Sequence, residues 1–154
     1  IWDRYRNVLG IFIRRALQGQ PLTVFGDGSQ RRAFSDVQGY MEPLLKLSEV
    51  GDGEIFNIGA DHHVSILELA DMVQSVARDW DVEVPIQFLP ARHEAHEAFC
   101  DHSKAQSMLG FEDKTDLKGS IYAMFEWAQQ QPTREVLKLD YEIDSGLYPF
   151  WRNA

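Results

Sequence analysis

Hydrophobic residues recur along this chain at helical spacing in some stretches and in short continuous runs in others. Apolar residues three and four apart predict a helix over Val8–Leu17, which Gly19 and Pro21 end. Further helices are predicted over residues 38–50 with a kink at Pro43, 66–78 behind the capping box Ser65-Ile-Leu-Glu68, 101–109, and 117–129 behind Thr115 or Asp116. Short strands are predicted over residues 22–25, 33–37, 54–58, 85–89 and 97–100. Strands mixed with helices at this spacing predict an α/β or α+β unit.

Composition narrows the functional classes. The 154 residues fit one domain and carry a net charge of −9, so non-specific nucleic-acid binding is disfavoured. No apolar run approaches the ~20 residues of a membrane span. The lone Cys100 excludes an internal disulfide framework and predicts a cytoplasmic protein with a buried structural thiol in a strand. The opening Ile-Trp-Asp-Arg, without Met, is taken as a hint of a longer protein.

A turn followed by two arginines is the first candidate for chemistry. Gly26 and Gly28 can adopt positive φ, and the Asp27 side chain between them can bond its own backbone. Arg31 and Arg32 follow after two residues and could clamp a carboxylate or a phosphate, or could be solvated surface charges. On so acidic a chain, an anion site requires a local cluster, for which these two arginines and Arg92 are the candidates.

Six motifs in order carry a resemblance to a known family. They are Asn7-Val before a helix, Pro21-Leu-Thr-Val-Phe-Gly-Asp-Gly-Ser-Gln-x-Arg32-x-Phe34, Glu54-Ile-Phe-Asn-Ile-Gly59, Ser65-Ile-Leu-Glu-Leu69, Leu89-Pro-Ala-Arg92 and Asp101-x-Ser-Lys-Ala105-x-x-x-Leu-Gly-Phe111. Residues 7–130 thereby resemble the C-terminal half of an extended short-chain dehydrogenase, of the NAD-dependent nucleotide-sugar epimerase/dehydratase type similar to UDP-glucose 4-epimerase. The resemblance implies the C-terminal portion of an extended Rossmann-type fold, with short strands and about five helices.

The sequence does not contain the motifs that carry cofactor and catalysis in that family. The family binds NAD at a G-x-x-G-x-x-G loop and uses a Tyr-x-x-x-Lys pair, and neither occurs in these 154 residues. We therefore expect no catalytic residue and no cofactor site in this chain, which would be inactive alone. In the full-length family enzyme the cofactor is NAD.

The resemblance carries over substrate-binding residues one at a time. Asn7 corresponds to an Asn near the sugar diphosphate, or is a plain helix cap. Phe25 corresponds to an aromatic packing on uracil, or is a strand core residue. Arg32 and Arg92 correspond to two arginines that grip the diphosphate, while Arg31 is expected to be solvent-exposed. The family continues after the second arginine with Pro-Gly-Asp, whose Asp reaches the ribose. Here Glu94 stands one residue earlier and could replace it, which puts ribose contact and base identity in doubt.

Two histidine-containing stretches suggest a metal site only weakly. Asp61-His62-His63 and His93-x-x-His96 lack a third ligand at an enforced spacing, so no metal is predicted.

Domain and partner expectations follow from the resemblance. Residues 1–131 are expected to form the nucleotide-sugar-binding half, and the aromatic-rich tail, residues 132–154, to pack on this domain or on a partner. The expected partners are a nucleotide-diphosphate sugar and either a second copy, meeting at the 54–58 strand or the tail, or the missing N-terminal half. The alternatives are a stand-alone, non-catalytic sugar-nucleotide module and a structural remnant. Epimerisation, dehydration and decarboxylation remain equally open, because the deciding residues lie in the other half.

Overall fold

A computed structural model describes residues 1–3, 6–50 and 52–134 of the chain. Within these residues the fold is mixed α/β, which confirms the predicted class, and it has short strands and five helices. In chain order the elements are α1 (Val8–Leu17), β1 (Leu22–Phe25), β2 (Arg31–Ala33), a 3₁₀ turn (Val37–Tyr40), α2 (Met41–Val50), β3 (His63–Ser65), α3 (Ile66–Arg78), β4 (Ile86–Leu89), β5 (Glu97–Ala98), α4 (Ser103–Leu109) and α5 (Leu117–Gln129). Most of the predicted aromatic tail, residues 135–154, lies outside the described residues.

Two small sheets bring distant segments side by side. In the first, β1 pairs in parallel with β4, so that Leu22 lies opposite Ile86 and Phe25 opposite Leu89. In the second, β2 is central, antiparallel to β3 and parallel to β5, with Arg31 opposite Glu97. Because β1 runs parallel to β4 and β2 runs parallel to β5, the segment from β1 to β2 (residues 26–30) lies next to the segment from β4 to β5 (residues 90–96).

The main core lies between β1 and three helices. Helices α1, α3 and α5 contact one another in every pairing, and α1 and α3 also contact β1. Its largest side chains are fully buried: Phe12, Ile13, Leu22, Leu69, Ile121 and Phe125. Burial of each such side chain is worth about 1.5–3 kcal/mol relative to exposure, so this cluster dominates the stability of the described fold.

A second, smaller core lies beneath α4. Ala105, Leu109 and Phe111 are buried there, with four partly buried residues packed against them: Tyr40, Leu47, Phe56 and Ile58. Much of the neighbouring apolar surface is open, since Leu45 of α2 is 72% exposed and Ile55 is 84% exposed. This region therefore buries only a fraction of its hydrophobic residues within the described chain.

Helix boundaries follow local chemistry closely. The Ser65 hydroxyl accepts from the Glu68 amide at 3.1 Å, and the Glu68 carboxylate accepts from the Ser65 amide at 2.7 Å, which completes the predicted capping box. Asp116, rather than Thr115, caps α5 by accepting from the Gly119 amide at 3.0 Å. Gly110 ends α4 with a left-handed φ of 64°, a conformation that glycine adopts readily at the end of a helix.

The strand predicted after the Gly26-Asp27-Gly28 turn has other bounds in the structure. The strand predicted over residues 33–37 lies at Arg31–Ala33, because Asp36 ends the extended segment by accepting from the Gln38 amide at 2.8 Å. The 3₁₀ turn that follows takes the first residues of the predicted 38–50 helix, so α2 begins at Met41. Pro43 lies in the first turn of α2, the part of a helix in which a proline is tolerated.

Two further strand predictions differ from the structure: one segment joins no sheet among the described residues, and the other is shorter than predicted. Among the described residues, 54–58 join no sheet, and Lys104 instead bonds the Glu54 carboxylate at 2.6 Å and the Ile55 carbonyl at 3.0 Å. The 97–100 strand shortens to Glu97–Ala98, which leaves Cys100 outside the strand and partly exposed. The prediction of a buried strand thiol is therefore wrong. None of the helices in the described part of the chain has the length and apolar character needed to cross a bilayer.

Candidate functional site

The Gly26-Asp27-Gly28 turn connects β1 to β2 and sets the path of the chain toward the arginines. Both glycines have positive φ, 64° and 76°, and the Asp27 carboxylate accepts from the Ser29 amide at 3.0 Å. A Cβ atom on Gly28 would lie 2.7 Å from Val24 Cγ1, so only glycine fits this close approach. The structure therefore confirms the predicted turn, with positive φ at both glycines and a hydrogen bond from the backbone to the Asp27 side chain.

Arg32 and Arg92 meet at one carboxylate. Glu94 Oε2 lies 3.0 Å from Arg92 Nη2 and 3.4 Å from Arg32 Nη2, while Glu94 Oε1 accepts from Gln30 Nε2 at 2.7 Å. The Glu94 side chain is 18% exposed. We call these four residues, Gln30, Arg32, Arg92 and Glu94, the arginine cluster. The structure therefore brings together four of the five residues carried over from the family pattern: Arg32, Arg92 and Glu94 in the cluster, and Phe25, whose ring contacts Arg92.

The neighbours of Glu94 stabilise the ionised form of its carboxyl. Burial raises the pKa of the Glu94 carboxyl, but hydrogen bonds from Arg92 and Gln30 and the charges of Arg92 and Arg32 outweigh it. Its pKa consequently lies below the ordinary value, and the carboxylate is ionised at neutral pH.

The Arg32 guanidinium also holds the loop before β5. Its Nη1 donates to the carbonyl of Arg31 at 2.8 Å and to that of His96 at 3.3 Å. Its Nη2 donates to the Ala95 carbonyl at 2.8 Å as well as to Glu94. Residues 94–96 are thus folded against the donor edge of the Arg32 guanidinium.

Phe25 ends β1 directly below the cluster. The ring is 8% exposed, and the Arg92 guanidinium carbon lies 4.4 Å from its centroid, a cation–π contact. Gln30 Nε2 donates to the Phe25 carbonyl at 2.9 Å and so ties the turn to the strand end. Arg92 therefore lies over the ring on which uracil packing was predicted; that role stays a prediction.

Asn7 precedes α1 with a left-handed φ of 61° and makes no side-chain hydrogen bond to the helix. Its carbonyl accepts from the Ile11 amide at 3.0 Å, so the backbone and not the side chain starts the helix. The side chain is exposed. Its proposed proximity to a diphosphate stays a prediction.

Arg31 was expected at the solvent-exposed surface, and the structure places it in a structural role. Its side chain is 36% exposed and donates from Nη2 to the His63 carbonyl at 2.7 Å. Nη1 lies 3.8 Å from the Glu68 carboxylate. Arg31 therefore supports the β2–β3 pairing and the start of α3, and Arg32 alone of the adjacent pair enters the cluster.

His102 and Asp61 form a pair that sequence reasoning missed. His102 is 8% exposed, and its Nε2 lies 2.6 Å from Asp61 Oδ1. The Asp61 amide in turn donates to Asp113 at 2.8 Å. Nothing in the spacing of Asp61 and His102 signals the pair, since 41 positions separate them. No group of three metal-ligating side chains is assembled within the described ranges, and His63 stacks on Phe99 with the ring centroids 4.6 Å apart.

Comparison with known proteins adds a family and several relatives. Residues 3–59 match the NAD dependent epimerase/dehydratase family. UDP-glucuronic acid decarboxylase 2 from Arabidopsis thaliana is 34% identical over 126 residues, which cover 81% of this chain and 28% of that protein. The structure of UDP-glucose 4-epimerase with UDP-glucose from Thermotoga maritima is similar, with a TM-score of 0.74 and 27% identity. The match covers 84% of this chain and 41% of the epimerase chain.

A third similar structure is UDP-glucuronic acid 4-epimerase from Bacillus cereus in complex with UDP-glucuronic acid and NAD. Its TM-score is 0.69 at 26% identity, with 82% of this chain and 41% of that chain covered. The chain thus spans well under half the length of each of these relatives.

Proposed function

The chain belongs to the NAD-dependent epimerase/dehydratase family, and on that premise we propose that residues 1–131 form the nucleotide-sugar-binding part of such an enzyme. One observation carries the proposal: Arg32 and Arg92 converge on a single carboxylate oxygen from separate chain segments. Two guanidinium groups repel each other unless an anion lies between them, so their convergence marks an anion-binding position.

The chemistry of the cluster fits a diphosphate. Arginine donors match phosphate oxygens in fork geometry, and each phosphate of a nucleotide sugar carries a negative charge. The cluster supplies local positive charge on a chain whose net charge is −9. Asn7, Phe25 and Glu94 are proposed as further substrate contacts, to the diphosphate, base and ribose respectively.

The rest of the reaction is proposed to depend on groups outside this chain. The sequence contains no G-x-x-G-x-x-G loop and no Tyr-x-x-x-Lys pair. NAD binding and proton transfer would therefore be contributed by another polypeptide segment. The matched relatives include decarboxylases and epimerases, so the type of reaction stays open.

Calorimetric titration with UDP-glucose tests the binding role. We expect Arg32→Ala to weaken binding by about 2 kcal/mol, roughly thirtyfold, because it removes a charged partner of the diphosphate. Arg78→Ala, at an exposed position at the end of α3, serves as the matched control and should leave the affinity unchanged. Equal affinities of the wild-type protein and the correctly folded Arg32→Ala variant would contradict the proposal.

Assays of NAD binding and of turnover test whether cofactor binding and catalysis depend on groups outside this chain. The purified 154-residue chain should neither bind NAD measurably nor convert UDP-glucose to UDP-galactose. Turnover by this chain would show that the catalytic groups have been wrongly assigned.

The open apolar surface supports a further proposal, self-association of the chain. Leu44, Leu45 and Ile55 are 51%, 72% and 84% exposed, an arrangement typical of protein interfaces. We expect light scattering at high micromolar concentration to report a dimer or larger assembly. The double variant Leu45→Glu/Ile55→Glu should be a monomer, whereas Gln129→Glu on α5 should assemble like the wild type. A stable wild-type monomer would contradict this proposal.

A further inference from the structure

Glu94 occupies the position between the two arginines where an incoming anion would bind. Each of its carboxylate oxygens is already bonded, one to Gln30 and the other to both Arg92 and Arg32. A carboxylate and a phosphate present similar oxygen acceptors to an arginine fork. The anion position of this protein is therefore filled by a side chain of the protein itself.

The loop that carries Glu94 is held over the same site by backbone contacts. Arg32 donates to the Ala95 and His96 carbonyls, so both of its terminal nitrogens have intramolecular partners. The His96 carbonyl also accepts from the Arg31 amide at 2.7 Å, next to the β2–β5 pairing. Residues 94–96 thus form a closed segment over Arg32, with Glu94 as its anionic end.

Charge determines which anion can bind while this segment is closed. The charges of the two arginines and Glu94 sum to a single positive charge. The position that faces both guanidinium groups is already occupied by the negatively charged Glu94 carboxylate. A diphosphate approaching Arg32 and Arg92 would meet the like charge of Glu94 at close range in a partly desolvated site. The phosphate and Glu94 cannot occupy the same arginine donors together.

We propose that Glu94 is a built-in competitor for the nucleotide-sugar diphosphate, and that ligand binding requires its release from Arg32 and Arg92. This inference rests on the proposed function and adds a regulatory contact to the same site. The free protein holds the arginines preassembled around a carboxylate. The ligand exchanges that carboxylate for phosphate and frees residues 94–96 from Arg32.

Titration of UDP-glucose against Glu94→Gln tests the competition. Once released from the arginines, the Glu94 side chain can contact the ribose as proposed above, and a glutamine amide oxygen retains an acceptor for that contact. The substitution therefore keeps the size and hydrogen-bonding capacity of the side chain and removes only its charge, so the variant should bind UDP-glucose at least tenfold more tightly than the wild type. Glu97→Gln is the matched control, because it removes the same charge from an exposed position on β5 outside the cluster. It should bind like the wild type.

The outcomes separate this inference from the proposed function. Equal or weaker binding by Glu94→Gln, with the wild type still binding, overturns the competition and leaves the binding function intact. Absence of UDP-glucose binding by both proteins at millimolar ligand overturns both. A gain of the same size when Glu94→Gln is added to an Arg32→Ala/Arg92→Ala variant also overturns it, because the gain must act through the two arginines. If Glu94→Gln does not fold, Glu94→Asp replaces it. Its side chain, shorter by one methylene, should bind UDP-glucose more tightly than the wild type, and equal or weaker binding overturns the competition.

Discussion

The α1/α3/α5 core and the α2/α4 region are built from the same kinds of residue but bury them to different degrees. Leu69 on α3 is fully buried, whereas Leu45 on α2 is 72% exposed. Helices α1, α3 and α5 contact one another in every pairing, while α2 contacts α4 and the 3₁₀ turn. An amphipathic helix is stabilised by whatever covers its apolar face. The first region is therefore covered within the described chain, and the second presents an apolar surface.

The largest expected difference between the regions comes from one substitution made in each. Leu69→Ala should lower the free energy of unfolding by about 2–5 kcal/mol, because it leaves a cavity in the closed core. At protein concentrations low enough to keep the chain monomeric, Leu45→Ala should change it by less than about 0.5 kcal/mol, since the side chain is mostly in solvent there. Urea unfolding followed by circular dichroism measures both. Similar losses for the two variants would mean that the α2 surface is covered in solution.

Two glycines with positive φ give the next largest difference. Gly28, beside the main core, has φ 76° and no room for a Cβ, while Gly53, near α2, has φ 70° and open space around it. Gly53→Ala should cost about 1 kcal/mol for backbone strain alone. Gly28→Ala should cost about 1–3 kcal/mol more, because Val24 and Leu67 must also move. Thermal unfolding of the two variants provides the comparison, and equal costs would remove the argument from close packing.

Helix capping gives a smaller contrast. Ser65→Ala removes the capping-box acceptor of α3 and should cost about 1 kcal/mol. Ser107→Ala, within α4, removes only a bond to the Lys104 carbonyl and should change stability by less than about 0.5 kcal/mol. Chemical denaturation of both variants checks this. A loss at Ser107 as large as at Ser65 would show that α4 depends on its side-chain bond.

The smallest effect concerns pH at the edge of the α2/α4 region. A hydrogen bond from Lys104, and then its charge, lower the pKa of the Glu54 carboxyl below 4.5. A lowered folded-state pKa stabilises the fold above pH 4.5, and that contribution is lost as pH falls through the folded value. Carbon-13 titration of Glu54 should show its pKa rising toward the ordinary value in Lys104→Met. An unchanged pKa would mean that the pair does not form in solution.

Prediction from sequence succeeded where structure depends on neighbours along the chain. The bounds of α1, α3 and α5 follow from helical spacing and from caps such as Ser65 and Asp116. The Gly26-Asp27-Gly28 turn follows from the conformational range of its residues. Prediction failed at residues 54–58, because a strand also needs a partner and none is present among the described residues.

The candidate site divides in the same way. The sequence by itself identified Arg32, Arg92 and Glu94 as residues of interest, through turn chemistry and the resemblance to a family. Only the tertiary structure decided that all three meet, because parallel pairing of β1 with β4 and of β2 with β5 brings residues 26–30 beside 90–96. It also placed Arg31 in a structural role and Glu94 between the two arginines. Local conformation is determined by adjacent residues, whereas a contact between charges 62 positions apart, such as Arg32 and Glu94, depends on how the sheets bring the chain together.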